Sequence, residues 1–179
     1  MERMKHWIAA AALLLVAIAA QGAAYDFAAQ APTGQTLYFA LEGSGVRVVY
    51  PATTDVPIQG WAGFAKPAGA LAIPATVAHN GRTYPVVAVG ALAFSLCTGL
   101  TSVEVPEGVR AVRMDAFYGC SALESAVLPT TLDSIGQSAF LDCSSMRLLE
   151  LRRPQPPAVH SAAFSRMPVG QTVLRVACG

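Results

Sequence analysis

The sequence predicts a repeat solenoid in which short parallel β-strands stack, one for each coil of about 23 residues, behind a β-rich N-terminal cap. Three observations lead to this fold class. The dipeptide Ala-Phe occurs four times, and its phenylalanines (Phe94, Phe117, Phe140 and Phe164) are 23, 23 and 24 residues apart. Other apolar positions recur at fixed distances from each phenylalanine. The residues before position 86 do not follow this period but carry hairpin signals.

Each repeat can be interpreted as one coil. The apolar-x-apolar triplet in each repeat is typical of a short strand whose alternate side chains face inward. Pro106 and Pro129 follow two of these triplets and end the strand, because proline has no N–H to donate. A single coil cannot bury its own apolar side chains, so we expect the coils to stack with these columns inside. The columns are Cys97, Cys120 and Cys143; Leu100, Leu123 and Met146; and the pairs Val103/Val105, Ala126/Leu128, Leu149/Leu151 and, displaced by one residue, Leu174/Val176.

This pattern closely resembles the BspA-like leucine-rich repeats of bacterial surface proteins. The matching columns run from about residue 86 to residue 176, although the asparagine that usually follows the strand is missing, since Asn80 is the only asparagine. The resemblance implies a leucine-rich repeat array over residues 86–179, with about four coils. It also implies a non-enzymatic protein that is secreted or displayed on the cell surface and that acts, in some members, as an adhesin.

Residues 1–24 have the features of a secretory signal peptide. Arg3 and Lys5 precede an apolar run over residues 7–20, and small residues follow it. The run is short for a membrane-spanning helix, which needs about 20 residues, although a start anchor is the alternative. We therefore expect a secreted or cell-surface protein whose mature chain has no transmembrane segment.

Charge argues against a nucleic-acid partner. Without residues 1–24, which contain Glu2, Arg3 and Lys5, twelve basic and eleven acidic residues become ten of each. A neutral chain has no global attraction to a polyanion. Locally, residues 145–179 hold five arginines against Glu150 alone. This imbalance is either an ordinary solvated surface or a patch that prefers an acidic partner.

Residues 25–85 are expected to form the cap. Residues 36–41 and 46–50 are rich in strand-forming side chains and flank a glycine-rich turn, which predicts a hairpin. A second hairpin is predicted over residues 77–87, because Asn80-Gly81 is a strong type I′ turn signal. The segment Leu71-Ala72-Ile73-Pro74 imitates the strand-plus-proline unit of the repeats. The cap would shield the first coil from water, and an independently folded binding domain is the alternative.

Residues that often carry chemistry do not assemble into a catalytic or metal-binding motif in the sequence. Cys97, Cys120 and Cys143 share one column, so we expect buried free thiols rather than disulfides, whereas Cys178 could pair or react. His79 and His160 are not part of a nucleophile motif, and no Cys-x-x-Cys motif occurs. The sequence therefore predicts no enzyme activity, no cofactor and no metal.

The candidate binding face is the outward side of the strands. Equivalent outward residues on successive coils form rows, which repeat proteins commonly use for recognition. Its mixed small, acidic and apolar character suits an unidentified protein or glycan ligand, and the alternative is that these side chains only solubilise the sheet. A structural component of a larger cell-surface assembly, self-associating through the C-terminal coil, is the second hypothesis for the function. The proposed face consists of Ser102, Glu104, Ser125, Val127, Glu150 and Arg175, flanked by Ala72 and Thr101.

Overall fold

The computed structural model describes residues 25–52, 60–168 and 170–176. The predicted signal peptide and Cys178 lie outside these ranges. Within them the chain forms thirteen β-strands. The strands are β1 (Phe27–Gln30), β2 (Thr36–Glu42), β3 (Gly45–Val49), β4 (Gly69–Ala72), β5 (Thr76–His79), β6 (Arg82–Val89), β7 (Leu100–Glu104), β8 (Ala111–Val112), β9 (Ser125–Leu128), β10 (Ser134–Ile135), β11 (Leu148–Leu151), β12 (Ala158–Val159) and β13 (Val173–Val176).

The strands form two sheets on opposite sides of one stack of coils. The front sheet has five parallel strands in the order β4-β7-β9-β11-β13. The back sheet runs β1-β2-β3-β6-β8-β10-β12, with β5 attached to β6, and is parallel from β6 to β12. Successive coils thus add one strand to the front and a shorter strand to the back. The predicted repeat solenoid is confirmed.

The predicted interior columns are buried between the two sheets, except for the Leu174/Val176 pair of the last coil, which was predicted to lie inside and is exposed. Phe94, Phe117 and Phe140 have no solvent exposure, and their rings stack with centroids 5.1 Å apart at both steps. Phe164 continues the stack 5.6 Å from Phe140 but is only half-buried. The cysteine column and the leucine–methionine column beside it are also fully buried. The aromatic, thiol and aliphatic columns therefore form a single core.

The Ala-Phe turns add a third ladder of backbone hydrogen bonds between coils. The N–H groups of Phe94, Phe117 and Phe140 donate to the alanine carbonyl of the following coil's Ala-Phe, each at 2.8 Å. Two residues on either side of most of these phenylalanines, the backbone enters the left-handed region. This conformation bends the chain sharply and directs the ring inward, although side chains other than glycine adopt it at some cost. The left-handed positions are Leu92, Asp115 and Ser138 before the ring, and Leu96, Gly119, Asp142 and Arg166 after it.

Both predicted N-terminal hairpins are present. Strands β2 and β3 pair antiparallel around Gly43-Ser44, with Glu42 opposite Gly45. Strands β5 and β6 pair antiparallel around Asn80-Gly81, whose φ angles are 49° and 74°. Two positive φ angles are what a type I′ turn requires, and asparagine and glycine adopt them readily.

The N-terminal strands continue the stack of coils. Strand β3 pairs in parallel with β6, so the back sheet passes from the hairpins into the array without a break. Trp61 extends the phenylalanine stack, with its ring 6.5 Å from that of Phe94, and its Nε1 donates to the carbonyl of Ala93 at 2.9 Å. One hydrophobic core contains residues of both parts. The N-terminal strands and the repeats therefore pack around the same core.

The last coil leaves apolar side chains in solvent. Strand β13 pairs in register with β11, so that Leu174 aligns with the buried Leu149 and Val176 with the buried Leu151. Yet Leu174 is 58% exposed and Val176 is 43% exposed, because within the described residues no further coil packs over them.

Among the residues that the structure describes, no helix is both long and apolar enough to cross a membrane.

Candidate functional site

The front sheet aligns the predicted face residues in two continuous rows. In the first row, Ser102 is opposite Ser125, and the row extends to Ala70 at one end and to Leu148 and Val173 at the other. Neighbouring members of a row are about 4.8 Å apart, the spacing of paired strands. The second row is Ala72, Glu104, Val127, Glu150 and Arg175.

An arginine just after β11 connects the two acidic residues of this face. Arg152 Nη2 lies 3.0 Å from Glu104 Oε1, and Arg152 Nε lies 3.5 Å from Glu150 Oε1. Glu104 and Glu150 belong to strands separated by β9, so the guanidinium spans the strand that carries Val127. Such half-exposed ion pairs contribute little to stability. Their effect here is to balance the negative charge of the face.

Sequence reasoning missed two side chains of this surface. Leu148 lies in the serine row, opposite Ser125, and is half-buried. Its position two residues before Glu150 matches that of Ser125 before Val127, so the same register could have identified it. Arg152 follows the strand and has no counterpart in the earlier coils, where proline follows Val105 and Leu128. No periodic signal indicated Arg152.

The arginine-rich C-terminal segment is largely paired with acids of earlier coils. Besides Arg152, Arg153 Nη1 lies 3.6 Å from Asp133 Oδ1, and Arg166 Nη1 lies 3.3 Å from Asp142 Oδ2. In the described part of the chain, Arg147 and Arg175 make no ion pair. These pairs favour a solvated, self-compensated surface over an anion-binding patch.

The three repeated cysteines are buried free thiols, as expected. Cys120 Sγ donates to the carbonyl of Phe94 at 3.1 Å, and Cys143 Sγ donates to that of Phe117 at 3.3 Å. Burial raises the pKa of Cys97 and of Cys143 to about 12 and raises that of Cys120 well above its usual value. Thiolates are the reactive form of cysteine, so these residues are chemically inert while the coils are stacked.

We expect alkylation to distinguish these thiols by folding state. At pH 8, iodoacetamide should leave Cys97, Cys120 and Cys143 unmodified in the folded protein and should modify all three in concentrated urea, because unfolding removes the burial that raises their pKa values. Peptide mass spectrometry separates them from Cys178. Rapid alkylation of the three column cysteines without denaturant would contradict a dry thiol column.

The two histidines considered for catalysis make structural contacts. The His79 ring stacks on Phe27 with centroids 4.2 Å apart, and its Nε2 lies 3.0 Å from Asn80 Nδ2. His160 Nδ1 accepts from the N–H of Ala162 at 3.2 Å and thereby supports the following turn. Within the residues that the structure describes, no three histidine, cysteine, aspartate or glutamate side chains converge as a metal site.

The stacked coils, the short parallel strands and the buried phenylalanine column together define a leucine-rich repeat solenoid. Residues 83–173 match the family described as BspA type leucine-rich repeat region, in six copies. This match covers half of the chain, so the chain belongs to that family. The resemblance predicted from the sequence is confirmed.

Three solved structures share the fold. A leucine-rich repeat protein from Bacteroides ovatus has a TM-score of 0.63 and 21% identity, over 85% of this chain and 37% of its own. One from Bacteroides capillosus has a TM-score of 0.62 and 22% identity, over 79% of this chain and 94% of its own. A leucine-rich cell surface protein from Faecalibacterium prausnitzii has a TM-score of 0.56 and 20% identity, over 85% of this chain and 43% of its own.

At these identities the likeness concerns the fold alone. This chain spans less than half of the Bacteroides ovatus and Faecalibacterium prausnitzii proteins. No match was found among curated proteins.

Proposed function

We propose that this chain is a non-catalytic protein, exported by its predicted signal peptide to the cell surface or the medium, that binds a protein or glycan through its front sheet. The observation that carries the proposal is the pair of continuous outward rows on that sheet. Family membership and the cell-surface relative support the location. Adhesion is the activity that such a surface would serve.

The middle of the front face has the composition of a recognition surface. Ser102, Ser125, Val127 and Leu148, here called the front patch, are half-buried neighbours in the two rows. The charged groups beside the front patch belong to Glu104, Glu150 and Arg152. Protein interfaces commonly combine a small, partly apolar centre with a polar rim that excludes water. The front patch and its charged neighbours fit that arrangement.

The charge of the face favours a neutral or mixed ligand over a polyanion. Glu104 and Glu150 are balanced by Arg152 and Arg175 within the same rows and the loop beside them. The serine hydroxyls of the front patch can both donate and accept hydrogen bonds. Hydroxyl groups beside small apolar side chains suit the mixed polar and apolar surfaces of proteins and glycans.

A binding screen with two matched variants tests the proposal. The protein is incubated with immobilised extracellular-matrix proteins and cell-surface glycans. Val127→Arg places a charge at the centre of the front patch, and we expect it to weaken any saturable binding by tenfold or more, about 1.4 kcal/mol. Met114→Arg is the control, because it introduces the same charge at an apolar residue that is 46% exposed and lies in a turn outside the front sheet.

The outcome of this screen is clear in either direction. Binding that Val127→Arg abolishes and Met114→Arg preserves supports recognition through the front sheet. Equal loss with both variants, or no saturable binding to any member of a broad panel, counts against the proposal.

The exposed last coil favours a second candidate function, a structural component of a larger cell-surface assembly. On β13, Val173 is 56% exposed and Leu174 is 58% exposed. On β12, at the end of the back sheet, Val159 is 42% exposed. Apolar side chains grouped at one end of a stack are typical of an association surface. Light scattering tests this candidate, since a protein that stays monomeric at high concentration would exclude self-association through that end.

A further inference from the structure

The two outer edges of the front sheet differ in how their backbone groups are satisfied. The sheet ends at β4 on the N-terminal side and at β13 on the C-terminal side. Both edges belong to four-residue strands that run in the same direction. An uncovered edge strand offers a row of N–H and C=O groups to any other strand that can reach it.

At the edge of β4, two side chains already bind three backbone groups that face away from β7. Gln35 Nε2 donates to the carbonyls of Ala68 at 3.0 Å and Ala70 at 2.7 Å. The N–H of Ala72 donates to Thr33 Oγ1 at 3.2 Å. The backbone groups of β4 that face β7 bond within the sheet. For example, the N–H of Gly69 donates to the carbonyl of Gly99. Thr33 and Gln35 therefore act where a neighbouring strand would otherwise bind.

These two side chains are held in place by their own turn. The Thr33 hydroxyl donates to Gln35 Oε1, which leaves both amide hydrogens of Gln35 for β4. Two backbone hydrogen bonds close the turn between β1 and β2. The N–H of Ala31 donates to the carbonyl of Gln35 at 2.8 Å, and the N–H of Gly34 donates to the carbonyl of Ala31 at 2.9 Å. We call Thr33 and Gln35 the edge clasp. A closed set of hydrogen bonds of this kind is rigid, so the two side chains stay against the edge of β4.

At β13 no such protection exists in the part of the chain that the structure describes. The strand pairs with β11 only. The N–H of Val173 faces β11, because it donates to the carbonyl of Arg147 at 2.7 Å. Successive N–H groups of a strand alternate in direction, so that of Leu174 faces the open side. The apolar-x-apolar sequence Leu174-Arg175-Val176 also repeats the pattern of Leu71-Ala72-Ile73 around β4. One end of each molecule would therefore fit the other end of the next.

We infer that the edge clasp prevents strand β13 of a second copy from adding to β4. Pairing of β13 with β4 is head-to-tail, and head-to-tail contacts that do not close into a ring generate open-ended filaments. With the clasp in place, the front sheets of two copies can pair only through their C-terminal edges, which limits this kind of pairing to a closed dimer. The clasp thus determines whether front-sheet pairing can extend beyond two copies.

The variant Thr33→Val with Gln35→Met opens the clasp while keeping the side-chain size. Hydrogen exchange should show the Ala72 amide exchanging roughly five- to tenfold faster, as expected for the loss of one hydrogen bond. Sedimentation velocity should show species that grow with concentration beyond a dimer. Thr36→Val is the matched control, because Thr36 is exposed on the adjacent strand β2 and should leave both measurements unchanged.

A third substitution identifies the incoming strand. Adding Leu174→Pro removes the outward N–H of β13, where proline is tolerated at a sheet edge, and should abolish the growth. Three results would overturn the inference: unchanged exchange at Ala72, faster exchange without growth beyond a dimer, or growth that persists with Leu174→Pro. If the double variant does not fold, Thr33→Val alone is subjected to the same measurements.

Discussion

Replacing Phe117 by alanine is expected to lower the free energy of unfolding by about 3–5 kcal/mol, the usual loss for a buried aromatic side chain. Its ring has no solvent exposure and stacks between Phe94 and Phe140, 5.1 Å from each. The substitution would leave a cavity between two coils that backbone hydrogen bonds hold at a fixed spacing. Because the surrounding ladders resist collapse, we expect a loss near the upper end of that range.

Thermal unfolding followed by circular dichroism measures this effect. A loss of that size should lower Tm by roughly 10 °C in a domain of this length. Phe164→Ala is the matched control, since its ring is half-buried and Phe140 is its one stacking partner among the described aromatic residues. We expect the control to cost on the order of 1–2 kcal/mol. Equal losses for the two variants would show that the central ring is not held more tightly than the terminal one.

Replacing Trp61 by alanine is expected to have the second-largest effect, also about 3–5 kcal/mol. Trp61 is 3% exposed and covers the N-terminal end of the phenylalanine stack. The substitution removes this cover and leaves the carbonyl of Ala93 without its indole donor. An unpaired buried carbonyl adds its own desolvation penalty, roughly 1–3 kcal/mol.

Trp61→Phe separates the two contributions in the same chemical denaturation experiment. Phenylalanine keeps an aromatic ring over Phe94 but has no N–H, so we expect it to recover more than half of the alanine variant's loss. Hydrogen exchange should also show faster opening of Phe94 than of Phe140 in the alanine variant, because coils contact only their neighbours. A uniform change along the stack would contradict a local role for the indole.

The periodic part of the fold could be predicted almost column by column. Each buried residue type recurs at one spacing, so errors at a single position, such as the displaced Leu174/Val176 pair, do not affect the register. Both hairpins carried local turn signals, and Asn80-Gly81 was sufficient to predict the second. The two outward rows followed from the same alternation that predicts the core.

Contacts that occur only once could not be predicted in this way. Arg152 reaches Glu104, 48 residues earlier, and Gln35 reaches Ala70, 35 residues later, without any repeated spacing. The parallel pairing of β3 with β6, which joins the N-terminal hairpin to the back sheet of the repeats, likewise occurs only once. These contacts depend on how the chain closes in three dimensions. The composition of one segment does not encode them.

The ladder through the Ala-Phe turns gives successive coils the same junction, with an N–H donor facing the following coil and a carbonyl acceptor facing the preceding one. The carbonyl of Ala116 accepts from Phe94 in the same way that the carbonyl of Ala139 accepts from Phe117. A segment beginning at one Ala-Phe and ending before the next is therefore a modular unit, whose duplication or excision preserves both junctions. Each unit gained would extend the outward rows by about 4.8 Å while the N-terminal strands stay the same. The number of coils, which sets the length of the outward rows, is therefore the property that can change with the least disturbance of the fold.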